Sequence, residues 1–338
     1  MTGTSPTASG GGGATLVIGE ALIDIVVDPE GGRSEHAGGS PANVALGLTH
    51  LGHHVSFLTH VGPDAHGDLL TRHLTSGEVA LVEGSTGASR TSTATARVAT
   101  DRTVDYEFEL TWDIPAPPLA GITHLHTGSI AATLEPGSST VLQTVREARP
   151  QLTVSYDPNL RPQIMGDPHG VRSRVEELVG LADVVKASDE DLQWLYAGTP
   201  VADIAHLWGQ LGPSLVVVTR GPEGALVLLP GRDRPGNDSA IELPAAPADV
   251  VDTVGAGDSF MSGLLSGLLD AGLIGGPVGD PPAAPADSSA GPPARSRIRA
   301  SGLDGILPAV QRALACAHWT IERAGAAAPT RSDLSLSR

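Results

Sequence analysis

The sequence predicts an α/β protein: a mainly parallel central sheet with helices on both sides, making three layers, and a small β lid. Three observations carry that prediction. Strand-like runs alternate with amphipathic helical stretches along most of the 338 residues. Several of these runs are continuously apolar, as in LVVV at 215–218, the pattern of strands covered on both faces. One segment instead alternates apolar and polar residues over two short runs, as a projecting hairpin does. At 40% hydrophobic residues the chain can bury a substantial core, in one large domain or two ordinary ones.

In chain order, residues 1–13 lack the basic and apolar stretches of a signal peptide and read as a flexible tail. Strands are expected at 16–27, 55–60, 122–127, 153–157, 184–186 and 215–219, with Val44, Leu48 and Leu51 at helical spacing between the first two. Residues 92–112 hold the two alternating runs around a polar Thr-Asp-Arg-Thr turn, an antiparallel hairpin that would serve as the lid. The run 272–300, rich in Gly, Pro, Ala and Ser, reads as a disordered insertion, and 335–338 as a second tail. No stretch approaches the roughly 18 apolar residues of a membrane span.

Charge narrows the function. Twenty-one basic residues against 38 acidic ones give a formal charge of −17, which disfavours nucleic acid and anionic membranes as partners. Lys186 is the only lysine and sits in VVKASDE with no glycine nearby, so a Walker-type phosphate loop is excluded. The single cysteine, Cys316, allows neither an intramolecular disulfide nor a cysteine-based zinc site, and fits a reducing cytoplasm.

The most informative segment is VVDTVGAGDSFMSGLLSGLLD at 250–270. A strand end runs into Gly255-Ala256-Gly257, and Phe260, Met261, Leu264, Leu265 and Leu268 then recur at helical spacing. Asp258 therefore stands in the first turn of a helix, where free N–H groups and the helix dipole suit an anion. An acid there is often just a cap, but a cap needs no flanking glycines. Phe260 stands where the dinucleotide fingerprint G-x-G-x-x-G needs its third glycine, which argues against an NAD-dependent oxidoreductase.

A second segment, HAGGSPANVALGLTHLG at 36–52, opens a helix with Ser40 at the N-cap and Pro41 at the first helical position. Gly38 and Gly39 permit close backbone approach to a ligand, and Asn43 offers an amide from the first turn. Asp24, in an apolar run, needs a polar partner that a polyhydroxylated ligand would supply.

Together GGSPANVALGLTHLG and DTVGAGDSFMSGLL resemble the paired signatures of the ribokinase-like, or PfkB-type, sugar kinases. The likeness runs from about 16 to 333 and is nearest the bacterial fructokinase branch, with GEALID, YEFELTWDIP, SYDPNLRP, VVKASDEDLQWLY and VVVTRGPEGALVL in support. The resemblance implies a ribokinase-like kinase domain over 14–334, cytoplasmic and dimeric through paired lids. It implies that Asp258 takes the proton of a sugar primary hydroxyl as that oxygen attacks the γ-phosphate of ATP. The amides of Gly255, Ala256, Gly257 and Asp258 would form the anion hole. Asp24, Gly38, Gly39, Asn43 and Arg161 match the sugar side, and Lys186, Ser188, Thr219, Gly221 and Gly224 the nucleotide side. Mg²⁺ would accompany ATP, and a monovalent cation such as K⁺ would sit by Asp252 and Val254.

The chain departs from the family's N-x-x-E motif, where Ser188 and Asp191 stand for Asn and Glu; the shorter Asp191 would reach a metal only through water. The runner-up substrate is 2-keto-3-deoxygluconate, with other sugars or nucleosides behind it, and a catalytically silent sugar-binding protein is the reading from a different class. His50, His53 and His54 read as a solvated helix end rather than a metal site. His124 and His126 alternate on a strand, so that one of them would line the cleft.

Overall fold

The chain changes sheets soon after it enters the structure, a computed structural model that describes residues 13–101, 103–231, 238–276 and 293–335. The single strand expected at 16–27 is two strands. β1 (Ala14–Ile18) is buried on both faces in the large sheet, whereas β2 (Leu22–Val27) lies in the lid sheet with Asp24 on its open face. The bend between them is forced close to the first helix, since a Cβ on Gly19 would stand 2.1 Å from Pro41 Cγ.

From there follow β3 (Arg33–Gly38), α1 (Ser40–His50), β4 (Val55–Leu58), α2 (Ala65–Ser76) and β5 (Ala80–Leu81). The lid hairpin is β6 (Thr93–Val98) and β7 (Val104–Glu109). Next come β8 (Ile122–Gly128), α3 (Gly137–Ala148), β9 (Thr153–Asp157), α4 (Pro162–Met165), α5 (Pro168–Leu181) and β10 (Val184–Ser188). The chain continues through α6 (Asp189–Leu195), α7 (Val201–Leu211), β11 (Leu215–Thr219), β12 (Ala225–Leu229) and β13 (Ser239–Leu243). It closes with α8 (Ala256–Asp270) and α9 (Pro293–Ile321), the latter broken at Gly302.

Among the described residues the large sheet runs β13-β12-β11-β10-β9-β8-β1-β4-β5. It is parallel from β11 to β5, and only the pairings of β12 with β11 and β13 are antiparallel. Strand alternation sorts side chains into two cores. Val17, Phe57, Val184 and Val217 face α1, α2, α8 and α9, while Leu16, Ile18, Val185 and Val216 face α3, α5, α6 and α7. Strand order reverses at β1, and the carboxyl ends of β1, β8, β9, β10 and β11 share one edge, the place where open α/β sheets bind ligands.

The lid sheet runs β3-β2-β6-β7, so the expected hairpin is joined by two strands from the amino-terminal segment. The glycine-rich run is also shorter than expected. Leu273 and Ile274 are buried, and 293–300 form the start of α9, because Arg295 ion-pairs with buried Asp183 and donates to the carbonyls of Leu181 and Ala182. The remainder, 277–292, and the tails 1–12 and 336–338 lie outside the described residues. No helix of the described residues is long and apolar enough to cross a membrane.

Candidate active site

Helix α8 starts after Gly255, whose left-handed φ of 74° turns the loop so tightly that a Cβ would lie 2.5 Å from Ala326 Cβ. Ser259 N–H makes the bond to the Gly255 carbonyl, and Ala256 N–H is taken by Thr253 O at 3.2 Å. The open donors of this terminus are therefore Gly255, Gly257 and Asp258, the expected anion hole less Ala256. Asp258 is buried, and its carboxylate caps nothing. Oδ1 accepts from Ser40 Oγ at 2.7 Å and Asn159 Nδ2 at 3.3 Å, and Oδ2 from Asn43 Nδ2 at 2.8 Å. The two sequence signatures thus meet at one carboxylate.

Ser40 is not the N-cap that its sequence context suggests. The cap is Gly39, with φ of 110° and no side-chain bond, and Ser40 is the first helical residue, which frees its hydroxyl for Asp258. A Cβ on Gly39 would lie 2.4 Å from Glu20 O, and one on Gly38 would lie 2.1 Å from Asp24 Oδ2, so these glycines let the chain pass close to Glu20 and Asp24. Asp24 needs no buried partner, since it opens to the cleft from the lid. The surrounding protein still desolvates it and raises its pKa, against the opposing charges of Arg161 and His36. Arg161 therefore lies near enough to Asp24 for its charge to be felt there.

The loop after β9 was legible as DPNLRP, but the parts played by Asp157 and Asn159 were not. Asn159 adopts φ of 37°, which a short amide tolerates, and donates to Ser40 Oγ at 2.6 Å. Its Oδ1 accepts from Arg161 at 2.6 Å. Asp157 takes the Lys186 ammonium on Oδ2 at 3.0 Å, with both side chains buried and Oδ1 left without a partner. Lys186 is thus inside β10, not exposed at its end. It rises beneath α8, 3.1 Å from where a Gly257 Cβ would be. Burial opposes its charge, but Asp157, Asp191 and Asp258 outweigh that and hold its pKa above the ordinary lysine value. Burial likewise pushes Asp157 up to about 6, against the pull of Lys186.

Asp191 is corrected from metal approach to structure. It closes a capping box with Ser188, its Oδ2 taking Ser188 N–H at 3.0 Å and its Oδ1 taking Leu160 N–H at 2.7 Å. Ser188 Oγ in turn accepts from Asp191 N–H at 3.0 Å. Among the described residues no group of three or more His, Cys, Asp or Glu is arranged to hold a metal ion. Thr219 donates to Ala187 O at the end of β11, and Gly221 and Gly224, both with positive φ, shape the turn after it. Asp252 accepts from Val254 N–H and Gly325 N–H, which hold its carboxyl below the usual range, and Val254 is exposed.

His53 is less solvated than expected, its Nε2 lying 2.9 Å from Ser266 Oγ, and burial pushes its pKa down to about 4. His124 and His126 do not line the cleft; both are buried on β8 against Thr153 and Ser155 of β9, with pKa values pushed down by burial to about 3. Sequence reasoning missed Glu20 altogether. It is buried beside Gly39, accepts from Ala131 N–H at 3.3 Å, and burial raises its pKa to about 7.

A model of the family described as pfkB family carbohydrate kinase matches residues 14–333. The fructokinase of Klebsiella pneumoniae is 34% identical over 265 residues, 75% of this chain and 83% of that protein. The fructokinase of Salmonella typhimurium is 32% identical over 262 residues, 74% and 82% of the two chains. The crystal structure of a double mutant of Vibrio cholerae O395 fructokinase, with fructose, ADP and a potassium ion bound, aligns with a TM-score of 0.74 at 27% identity. The alignment covers 97% of this chain and 99% of that one.

Replacing Lys186 with Met should destabilise the fold by about 3–5 kcal/mol in urea titrations, because Asp157 is left buried without its cation. The double variant Lys186→Met/Asp157→Leu should recover most of the loss, whereas a single variant within about 1 kcal/mol of the parent would contradict this electrostatic account.

Glu20 gives a pH test. Its raised pKa means that between about 4.5 and 7 the folded state holds the proton more tightly, so stability falls as pH rises through that window, by about 3 kcal/mol in total. Glu20→Gln carries no charge, so its Tm relative to the parent should climb from pH 5 to pH 8; parallel Tm curves would rule the linkage out.

Proposed function

The chain belongs to the pfkB family of carbohydrate kinases, and on that premise we propose that it is an ATP-dependent fructokinase. The observation that carries the proposal is Asp258, a carboxylate in the first turn of α8, hydrogen-bonded to Ser40 and Asn43 in the first turn of α1, just after the Gly38-Gly39 pair. A base at that place lies next to amides suited to a phosphate and to a loop suited to hydroxyls.

In the proposed reaction the sugar's primary hydroxyl oxygen attacks the γ-phosphorus of ATP in line. The new O–P bond forms as the bond to the bridging oxygen of the leaving ADP breaks, and Asp258 receives the hydroxyl proton. The Gly255, Gly257 and Asp258 amides and the α8 dipole stabilise the charge on the transferring phosphoryl oxygens. Asp24, Gly38, Gly39, Asn43 and Arg161 would hold the sugar. The turn at Thr219, Gly221 and Gly224 would meet the nucleotide, with the buried Lys186 ammonium beneath Gly257.

Mg²⁺ would travel with ATP on phosphate oxygens and water, consistent with Asp191 being committed to backbone N–H groups. A monovalent cation fits the ionised Asp252 better, where it would order the loop before α8. Two copies would meet through the lid face, where Val26, Val104 and Tyr106 are exposed and Tyr106 stacks on Phe108 at 5.9 Å. The acidic, single-cysteine composition fits the cytoplasm. The second reading, 2-keto-3-deoxygluconate, draws on the nearness of Arg161 to Asp24, where a sugar carboxylate would find a cation.

A coupled ADP-release assay over fructose, ribose, 2-keto-3-deoxygluconate and nucleosides should give fructose the highest kcat/KM, and a hundredfold preference for another acceptor would reject the fructose assignment. Asp258→Asn should lower kcat by about 10²–10⁴-fold while sugar binding persists. Near-normal turnover would remove Asp258 from the role of base.

A further inference from the structure

Asp258 receives its hydrogen bonds through a chain whose direction is fixed at both ends. A guanidinium only donates, so Arg161 obliges Asn159 Oδ1 to accept, at 2.6 Å. That sets the orientation of the amide and turns Nδ2 toward Ser40 Oγ, also at 2.6 Å. Ser40 then spends its one proton on Asp258 Oδ1, at 2.7 Å. Two further bonds, to the carbonyls of Asn159 and Leu160, anchor the Arg161 guanidinium. Every dipole in the chain points the same way, from the cation to the carboxylate, which strengthens each member.

The two oxygens of Asp258 are consequently unequal. Oδ1 holds Ser40 and the longer 3.3 Å bond from Asn159, and Ser40 is buried, so water does not compete for its proton. Oδ2 holds only Asn43, in the first turn of α1, whose bond an arriving hydroxyl can displace or share. We infer that Ser40 and Asn159 are positioning residues that pin Oδ1 of Asp258 and so reserve Oδ2 as the proton acceptor for the substrate hydroxyl. The inference rests on the phosphoryl-transfer reading of the site. Two local features exist for no other evident reason. Ser40 gives up the capping role that serine usually takes at a helix start, and Asn159 holds a left-handed backbone.

The test is steady-state kinetics with fructose and ATP on the full chain. Ser40→Ala should lower kcat by about 10- to 100-fold with the sugar KM within about threefold of the parent, because the sugar contacts remain while the base loses its orientation. Ser40→Thr, which keeps the hydroxyl, should recover most of the lost kcat. Asn159→Gly, which suits the left-handed backbone, should give a similar kcat loss. The double variant Ser40→Ala/Asn159→Gly should be no slower than the worse single one, as expected of two links in one chain. A Ser40→Ala enzyme with parental kcat, a loss confined to KM, or fully additive losses would overturn the chain and leave the kinase reading standing. A parent protein that turns over none of the acceptors would overturn both.

Discussion

The carboxylate of Asp258 joins parts of the chain that are distant in sequence. Its partners Ser40 and Asn159 are 218 and 99 residues away, and their bonds tie the first helix and the loop after β9 to the first turn of α8. A buried carboxylate with these donors missing would be costly, so the three segments are held to one arrangement by the need to satisfy it. Much of the surrounding architecture follows. Gly39 must admit the Glu20 carbonyl for α1 to begin where Ser40 can reach, and Gly255 must turn left-handed for α8 to aim its amides at the same point. The sheet edge supplies the remainder, since β1, β9, β10 and β11 end their parallel run there.

An acidic protein with one lysine still has to receive phosphate, and the way it spends positive charge is instructive. Two cations are buried in ion pairs along β10. Lys186, midway along the strand, pairs with Asp157 at the carboxyl end of β9, and Arg295 pairs with Asp183, just before the amino end of β10. Asp183 also accepts Val154 N–H at 2.8 Å, so that pair fixes β9 to β10 and brings in the start of α9. Buried pairs of this kind contribute little net stability but are expensive to break, so they specify an arrangement more than they strengthen it. The Arg295–Asp183 pair specifies the fold. The Lys186–Asp157 pair lies under Gly257, where a fixed positive charge is also useful to an anion.

The sequence carried most of the parallel sheet and the meeting of its two signatures, because apolar runs and glycine-flanked helix starts have local causes. It was misleading where the cause was tertiary. The run 16–27 is mostly apolar, and its composition does not mark Gly19 as the point where the chain leaves one sheet; the constraint is Pro41 of α1. Ser40 before a proline is the ordinary sign of an N-cap, and only the position of Asp258 diverts its hydroxyl. The composition of 293–300 resembles a linker, yet Arg295 finds a buried carboxylate more than a hundred residues earlier in the chain. Asp191 looked like a shortened metal ligand, and the Leu160 amide that occupies it belongs to a different loop. Asn159 did leave a trace, an asparagine between two prolines in a turn-like stretch, though its backbone angle could not be read from that.

The polar side chains beneath α8 obey the same logic of direction. His124, His126, Thr153 and Ser155 share a sheet face with the apolar Val17, Val184 and Val217 and with the Lys186–Asp157 pair, and burial keeps both imidazoles neutral, each with one N–H. Gly275 N–H donates to Thr153 Oγ1 at 2.9 Å, and the threonine's single proton has two acceptors in reach, His124 Nδ1 at 2.7 Å and Thr123 O at 3.3 Å. With that proton on His124 Nδ1, His124 carries its hydrogen on Nε2 and donates to Ser155 Oγ at 2.9 Å, and Ser155 donates to His126 Nδ1 at 2.9 Å. The tautomers of the two rings are thus coupled through Ser155. A protonated His126 would break the sequence at Ser155 and stand in the field of Lys186, which already lowers its pKa after burial has done so. These imidazoles and hydroxyls are tolerable only because they are neutral and matched in order, and that leaves the charge of the region concentrated where Lys186 meets Asp157.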